Sequence, residues 1–130
     1  METTQEPAFD AAALAETLGA LDDAHLDALP FGVIGFDAQG VVRRYNATES
    51  NYAGLAIDRV IGQPVFTVVA PCMNNFMVAQ RFEDAAEQNQ PLDATIDYVL
   101  TLRMKPVKVK LRLLAVPGAP LRHVIVNRRP

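Results

Sequence analysis

Two stretches in the last third of the chain alternate with a period of two. In Ile96-Asp97-Tyr98-Val99-Leu100-Thr101-Leu102 the even positions are apolar, and in Val107-Lys108-Val109-Lys110-Leu111-Arg112-Leu113 the odd ones are. Successive side chains of a strand leave on opposite faces, so each run reads as a strand with one buried face. Met104-Lys105-Pro106 turns between them, and Pro106 sits at a strand start, where a missing N–H donor is tolerated. Strands joined this closely run antiparallel, which commits the chain to an antiparallel sheet. A third strand, Leu121-Arg122-His123-Val124-Ile125-Val126, follows a loop from Pro117 to Pro120. Near the start, Phe31 to Asp37 and Val41 to Asn46 flank Ala38-Gln39-Gly40, a hairpin with glycine at its turn.

After Asn46 the β pattern stops. Thr48 to Leu55 and Ile57 to Ile61 read as short helical pieces punctuated by Gly54 and Gly62. From Asn75 to Gln88 the apolar set Phe76, Val78, Ala79, Phe82 and Ala86 suits an amphipathic helix. At the other end, Ala11 to Leu18 reads as a helix with Asp10 as its N-cap, presenting Leu14, Leu18 and Leu21 on one face. A second short turn around Asp22 to Leu26 leads to Leu29-Pro30. The expected fold class is α+β: a five-stranded antiparallel sheet with helices on one face. Residues 1–28 form an N-terminal helical cap and residues 29–130 the core, within a single domain large enough to stand without disulfides or metals.

Composition narrows the function. A net charge of −3 supplies no field that would draw in nucleic acid or a membrane surface. No apolar run approaches the roughly 20 residues that span a bilayer. The acidic start Met1-Glu2-Thr3-Thr4-Gln5-Glu6 is unlike a secretory signal, and one cysteine permits no internal disulfide, so the expected compartment is the cytoplasm. His25 and His123 lie too far apart for a metal-ligand spacing. No Ser-His-Asp set, phosphate-binding loop or dinucleotide glycine motif is visible, and an enzyme is not expected. A lone axial ligand, His123 or Cys72, does not define a haem site. The cations Lys108, Lys110 and Arg112, with Arg103 and Lys105 nearby, read as the solvated face of a strand with Asp97 as a cross-strand partner.

The order of elements, together with Phe31-Gly32-x-Ile34, Tyr45-Asn46-Ala47-x-Glu49, Val60-Ile61-Gly62, Val69-Ala70-Pro71-Cys72 and Met104-x-Pro106-x-Lys108-Val109-Lys110, resembles the PAS fold. Within it, the chain resembles the photoactive yellow protein family of bacterial blue-light receptors, over about Leu26 to Arg129. The resemblance implies that Cys72, preceded by Ala70 and Pro71, carries p-coumaric acid (4-hydroxycinnamic acid) as a thioester, while Tyr45 and Glu49 hydrogen-bond its phenolate. Around that set, Ala53 stands where the family often has a threonine, Leu55 where it often has an arginine over the pocket mouth, and Leu100 and Leu102 where it has aromatics; Met104 is retained, and His123 replaces a frequent aromatic. A shifted colour and altered recovery kinetics are therefore expected.

Each residue also has a plainer reading. A buried cysteine is often a small hydrophobe, and a redox role for Cys72 lacks a second thiol to resolve it. Tyr45 could end a strand with its hydroxyl in water, and Glu49 could be a solvated helix residue. Four residues apart across a helix start, however, their polar tips can converge. A glutamate in an apolar pocket is pushed toward its neutral form, in which it can donate a hydrogen bond to an anion. The expected function is a blue-light receptor working by trans-cis isomerisation and proton transfer from Glu49. The alternative is a PAS sensor or protein-interaction module with no covalent chromophore. The expected partner is a downstream signalling protein of unknown identity, met by a monomer or weak homodimer.

Overall fold

The computed structural model describes residues 7–101 and 105–128. Its centre is one five-stranded antiparallel sheet built from β1 (Gly32–Phe36), β2 (Val42–Tyr45), β3 (Leu92–Leu100), β4 (Val107–Ala115) and β5 (Arg122–Asn127), in the spatial order β2-β1-β5-β4-β3. Closure of the sheet places β5, the last strand, between β1 and β4. Helices α3 (Ala47–Ala53), α4 (Ile57–Val60) and α5 (Ala79–Glu87) connect β2 to β3.

The period-two pattern sorts the side chains into two clusters. Ile34, Phe36, Val42, Tyr45, Tyr98, Leu100, Val109, Leu111, Leu113, Val124 and Val126 face a core shared with Val60, Val65, Val69, Ala70, Val78 and Phe82. On the opposite face Val33, Leu114 and Ile125 meet Leu14, Leu18, Leu26, Leu29 and Phe31, so that α1 (Leu14–Ala20) and α2 (Asp23–Asp27) form a cap with a small core of its own. Leu29 and Phe31 belong to this second cluster, so the packing crosses the boundary expected at residue 28.

Several local expectations are corrected. Asp10 does not cap α1; the N-cap is Ala13, in a left-handed conformation with φ 54° and no side-chain bond. The helix expected from Asn75 begins only at Ala79, after a turn in which the Asn75 carboxamide oxygen accepts the backbone N–H of Met77 and of Val78. Phe76, expected on the core face, is 78% exposed. Strand β3 starts four residues earlier than its alternation suggested, at Leu92, where pairing with Ala115 opens the longest ladder of the sheet. Of the cationic strip, Lys110 pairs with Asp97 across β3 and β4 at 2.8 Å as expected. Arg112 is not solvated: it is buried on the cap side, bonded to Asp93 and to the carbonyls of Phe9 and Ala11.

Candidate functional site

The site is organised around the junction of β2 and α3. Asn46, completely buried, is the N-cap of α3. Its side-chain oxygen accepts the N–H of Glu49 at 3.1 Å and that of Val33 at 2.9 Å, and its amide donates to the carbonyls of Leu26 and Phe31 at 2.9 and 3.0 Å. Both donors and both acceptor sites are used, which a buried amide requires. The first turn of α3 is thereby locked to β1 and to the end of α2, and Glu49 is set over the sheet.

Glu49 is 1% exposed. It lies across Gly32, where a β-carbon would meet its Oε1 at 2.0 Å, so β1 can carry no side chain at that point. Arg128, just beyond β5, donates from Nη1 to Oε1 at 2.7 Å and from Nη2 to Oε2 at 3.1 Å. The same guanidinium stands 4.8 Å above the ring of Tyr52, one turn along α3. Burial pushes the Glu49 carboxyl up, and the hydrogen bonds and charge of Arg128 pull it back without reversing the direction.

Tyr45 ends β2 with its ring in the same core, 4% exposed. Burial foremost, and then the Glu49 charge, hold its phenol well above the usual range, so it remains a donor across physiological pH.

Cys72 borders that core. The stretch Val65–Val69 forms a single π-helical turn, and Pro71 starts a 3₁₀ turn through Met73, a tight geometry that its fixed φ and missing N–H suit. Cys72 is half-buried and packs against the cluster that contains Tyr45. Its carbonyl accepts from the Tyr98 hydroxyl at 2.5 Å and from the Asn75 amide at 3.2 Å, and Asn75 also donates to the Tyr98 oxygen at 2.7 Å. The peptide bearing the thiol is thus pinned by a strand and by the loop that follows it.

Of the other expected site residues, Ala70 is buried in the core, Ala53 is half-buried at the end of α3, and Pro71 and Leu55 are exposed. Leu102 and Met104 lie outside the described residues. Sequence reasoning missed three participants: Arg128, Asn75 and Tyr98. A signal for Arg128 existed, because it shares the inward parity of Val124 and Val126. Tyr98 had one too, since a tyrosine at an inward strand position needs a partner for its hydroxyl.

A mixed-helix core on one face of an antiparallel sheet ordered β2-β1-β5-β4-β3 defines a PAS domain, and residues 26–129 match the PAS fold family. Within it, the chain belongs to the photoactive yellow protein family, a family of photoreceptors. It is 36% identical over 93 residues to the photoactive yellow protein of Rhodothalassium salexigens, covering 72% of this chain and 74% of that one. It is 37% identical over 97 residues to that of Halochromatium salexigens, covering 75% and 77% respectively. Among solved structures, the photoactive yellow protein domain of the sensor histidine kinase Ppr from Rhodospirillum centenum matches with a TM-score of 0.78 at 40% identity, covering 86% of this chain and 97% of that one.

Proposed function

We propose that this chain is a blue-light receptor that carries p-coumaric acid as a thioester on Cys72 Sγ, with Tyr45 and Glu49 holding its phenolic oxygen. The observation that carries the reading is Glu49: a carboxyl 1% exposed and pushed toward its neutral form, close enough to the buried Tyr45 phenol for its charge to act on it. The donor set fits a phenolate. A neutral carboxyl and a phenol each donate one hydrogen bond to an anionic oxygen, and such charge-assisted bonds are about twice as strong as neutral ones. The chain's one thiol packs against the same core.

When bound, the group supplies a double bond that light isomerises and an acidic phenol whose anion absorbs visible light. The protein supplies the rest. Tyr45 Oη and Glu49 Oε orient and stabilise the anion, and the surrounding apolar side chains exclude water. Glu49 would be the acid of the site, its Oε placed to hold a proton in the dark and to give it up to a phenolic oxygen bound there. The new charge is felt where the fold is weakest. We place that response at the cap of α1 and α2, whose release bares Leu14, Leu18 and the sheet face beneath them to a downstream signalling protein. The proposed role is that of a sensor and not an enzyme. The proposed compartment is the cytoplasm, where a lone thiol stays reduced; no helix among the described residues is long and apolar enough to cross a membrane.

A second reading, a PAS module without a covalent chromophore, has one observation in its favour: the Glu49 carboxylate already has a bidentate partner in Arg128. One experiment separates the two. Protein supplied with activated p-coumaric acid is expected to turn yellow, to gain the mass of one chromophore on the peptide containing Cys72, and to bleach reversibly under blue light. A colourless protein of unchanged mass would establish the second reading.

A further inference from the structure

We infer that Arg128 is a positioning residue of this site: it is the counter-ion that receives the Glu49 carboxylate once its proton has left, and this ion pair sets how long the deprotonated state lasts. The inference rests on the reading given above. A carboxylate left bare in an apolar core is strongly disfavoured and would recapture a proton quickly. Here it is not bare. Both oxygens of Glu49 are met by both terminal nitrogens of one guanidinium, at 2.7 and 3.1 Å, with side-chain exposures of 1% and 11%.

The surroundings keep that guanidinium in place. Tyr52 offers its ring face at 4.8 Å, and Gly32 leaves room for the carboxyl to lie flat against the strand. Among the described residues, Arg44 and Arg112 spend their donors on the cap's carbonyls and on Asp23 and Asp93, on the far face of the sheet. Among the described residues Arg128 therefore holds the one ion pair that reaches Glu49.

Two forces act on Glu49 in opposite directions. Burial favours the neutral acid that can donate to a phenolate, and Arg128 favours the carboxylate. A group under both influences can hold its proton in one state and part with it in another. The charge-assisted bidentate bond exists only for the ionised form, so it stabilises the state after proton transfer more than the state before it. It also ties α3 to the end of β5 whenever Glu49 is ionised, as it does in this structure.

The test uses Arg128→Gln, Arg128→Lys, Glu49→Gln and the double variant Glu49→Gln/Arg128→Gln. In protein without chromophore, urea unfolding at pH 7 is expected to show strong non-additivity, the double variant losing much less stability than the two single variants summed. In protein loaded with p-coumaric acid, Arg128→Gln is expected to return to the dark absorbance at least tenfold faster than wild type after a flash. Its Glu49 carboxylate stretch in infrared difference spectra should also shift, a change that a merely structural role would not produce. Arg128→Lys, which keeps the charge but not the fork, should fall between the two. Additive stabilities, or a loaded Arg128→Gln protein with unchanged recovery and an unmoved carboxylate band, would overturn the inference while leaving the photoreceptor reading intact. Failure of wild type to take up chromophore would defeat that reading, and would reduce Arg128 to a structural ion-pair partner.

Discussion

Gly32 and Glu49 show how a backbone position and a buried charge depend on each other. At Gly32 the requirement is space and not conformation: a β-carbon would stand 2.0 Å from Glu49 Oε1, 3.0 Å from its Cδ and 3.1 Å from its Cβ. Glu49 cannot swing aside cheaply, because Asn46 holds its backbone and Arg128 holds both its oxygens. Gly32→Ala is therefore expected to break the buried pair at a cost of about 3 kcal/mol, within the range for removing one partner of such a pair. Urea unfolding at neutral pH measures this. Wild-type stability in the variant would mean that the carboxyl has somewhere else to go.

At the level of elements, the cap depends on the sheet for its cohesion. Helix α1 is seven residues long with no side-chain N-cap, too short to persist by itself in water. Leu14 and Leu18 supply its apolar contact, and two arginines from the sheet supply the polar one. Arg44 of β2 donates to the carbonyls of Leu18 and Leu21, both at 2.8 Å, closing the open C-terminal end of α1. Arg112 of β4 is clamped by both oxygens of Asp93 at 2.9 and 2.8 Å and donates to the carbonyls of Phe9 and Ala11 at 2.9 and 2.7 Å. Arg112→Gln is expected to cost about 2 kcal/mol, since hydrogen bonds to charged groups are worth about 1.5–3 kcal/mol each and Gln keeps part of the set. Cleavage near residues 9–13 by a protease should accelerate accordingly. Equal cleavage rates in variant and wild type would assign the hold on the cap to Leu14 and Leu18 alone.

For the whole molecule, the seam between cap and sheet is sensitive to acid. His123 of β5 is 3% exposed beneath the cap, and neither ring nitrogen has a partner among the described residues. Arg44 from β2, with Asp22 and Asp23 from the cap, lines the same cleft of about 500 Å³. Burial first, and the Arg44 charge second, lower the imidazole from 6.5 to about 4. Above pH 6.5 the ring is neutral in folded and unfolded chains alike. As pH falls the unfolded chain takes up the proton first, so stability is lost between about 6.5 and 4, by about 3 kcal/mol at 1.36 kcal/mol per unit. Glu49 works the other way, its raised carboxyl favouring the folded state as it protonates, so the histidine has to be isolated by difference. His123→Phe is expected to lose about 3 kcal/mol less than wild type between pH 7 and 4 in urea titrations. Parallel pH curves for the two proteins would refute a neutral, buried imidazole.

Much of this architecture could be read from the chain without coordinates. Alternation over Ile96 to Leu100 and Val107 to Leu113 assigned two strands and their inward faces, and Gly40 marked the hairpin, because strand geometry ties side-chain direction to residue parity. Tyr45 and Glu49 could be paired from their spacing, whereas Cys72 is joined to them by the family resemblance. The partners of the buried charges could not. Glu49 meets Arg128 across 79 residues, and Arg112 meets Phe9 across 103. Arg112 and Lys110 share a parity on β4, yet one is covered by the cap and the other lies in solvent. Periodicity says which way a side chain leaves the backbone. What it then finds there depends on how distant segments pack, and in this protein that packing sets the charge on Glu49 and the hold on the cap.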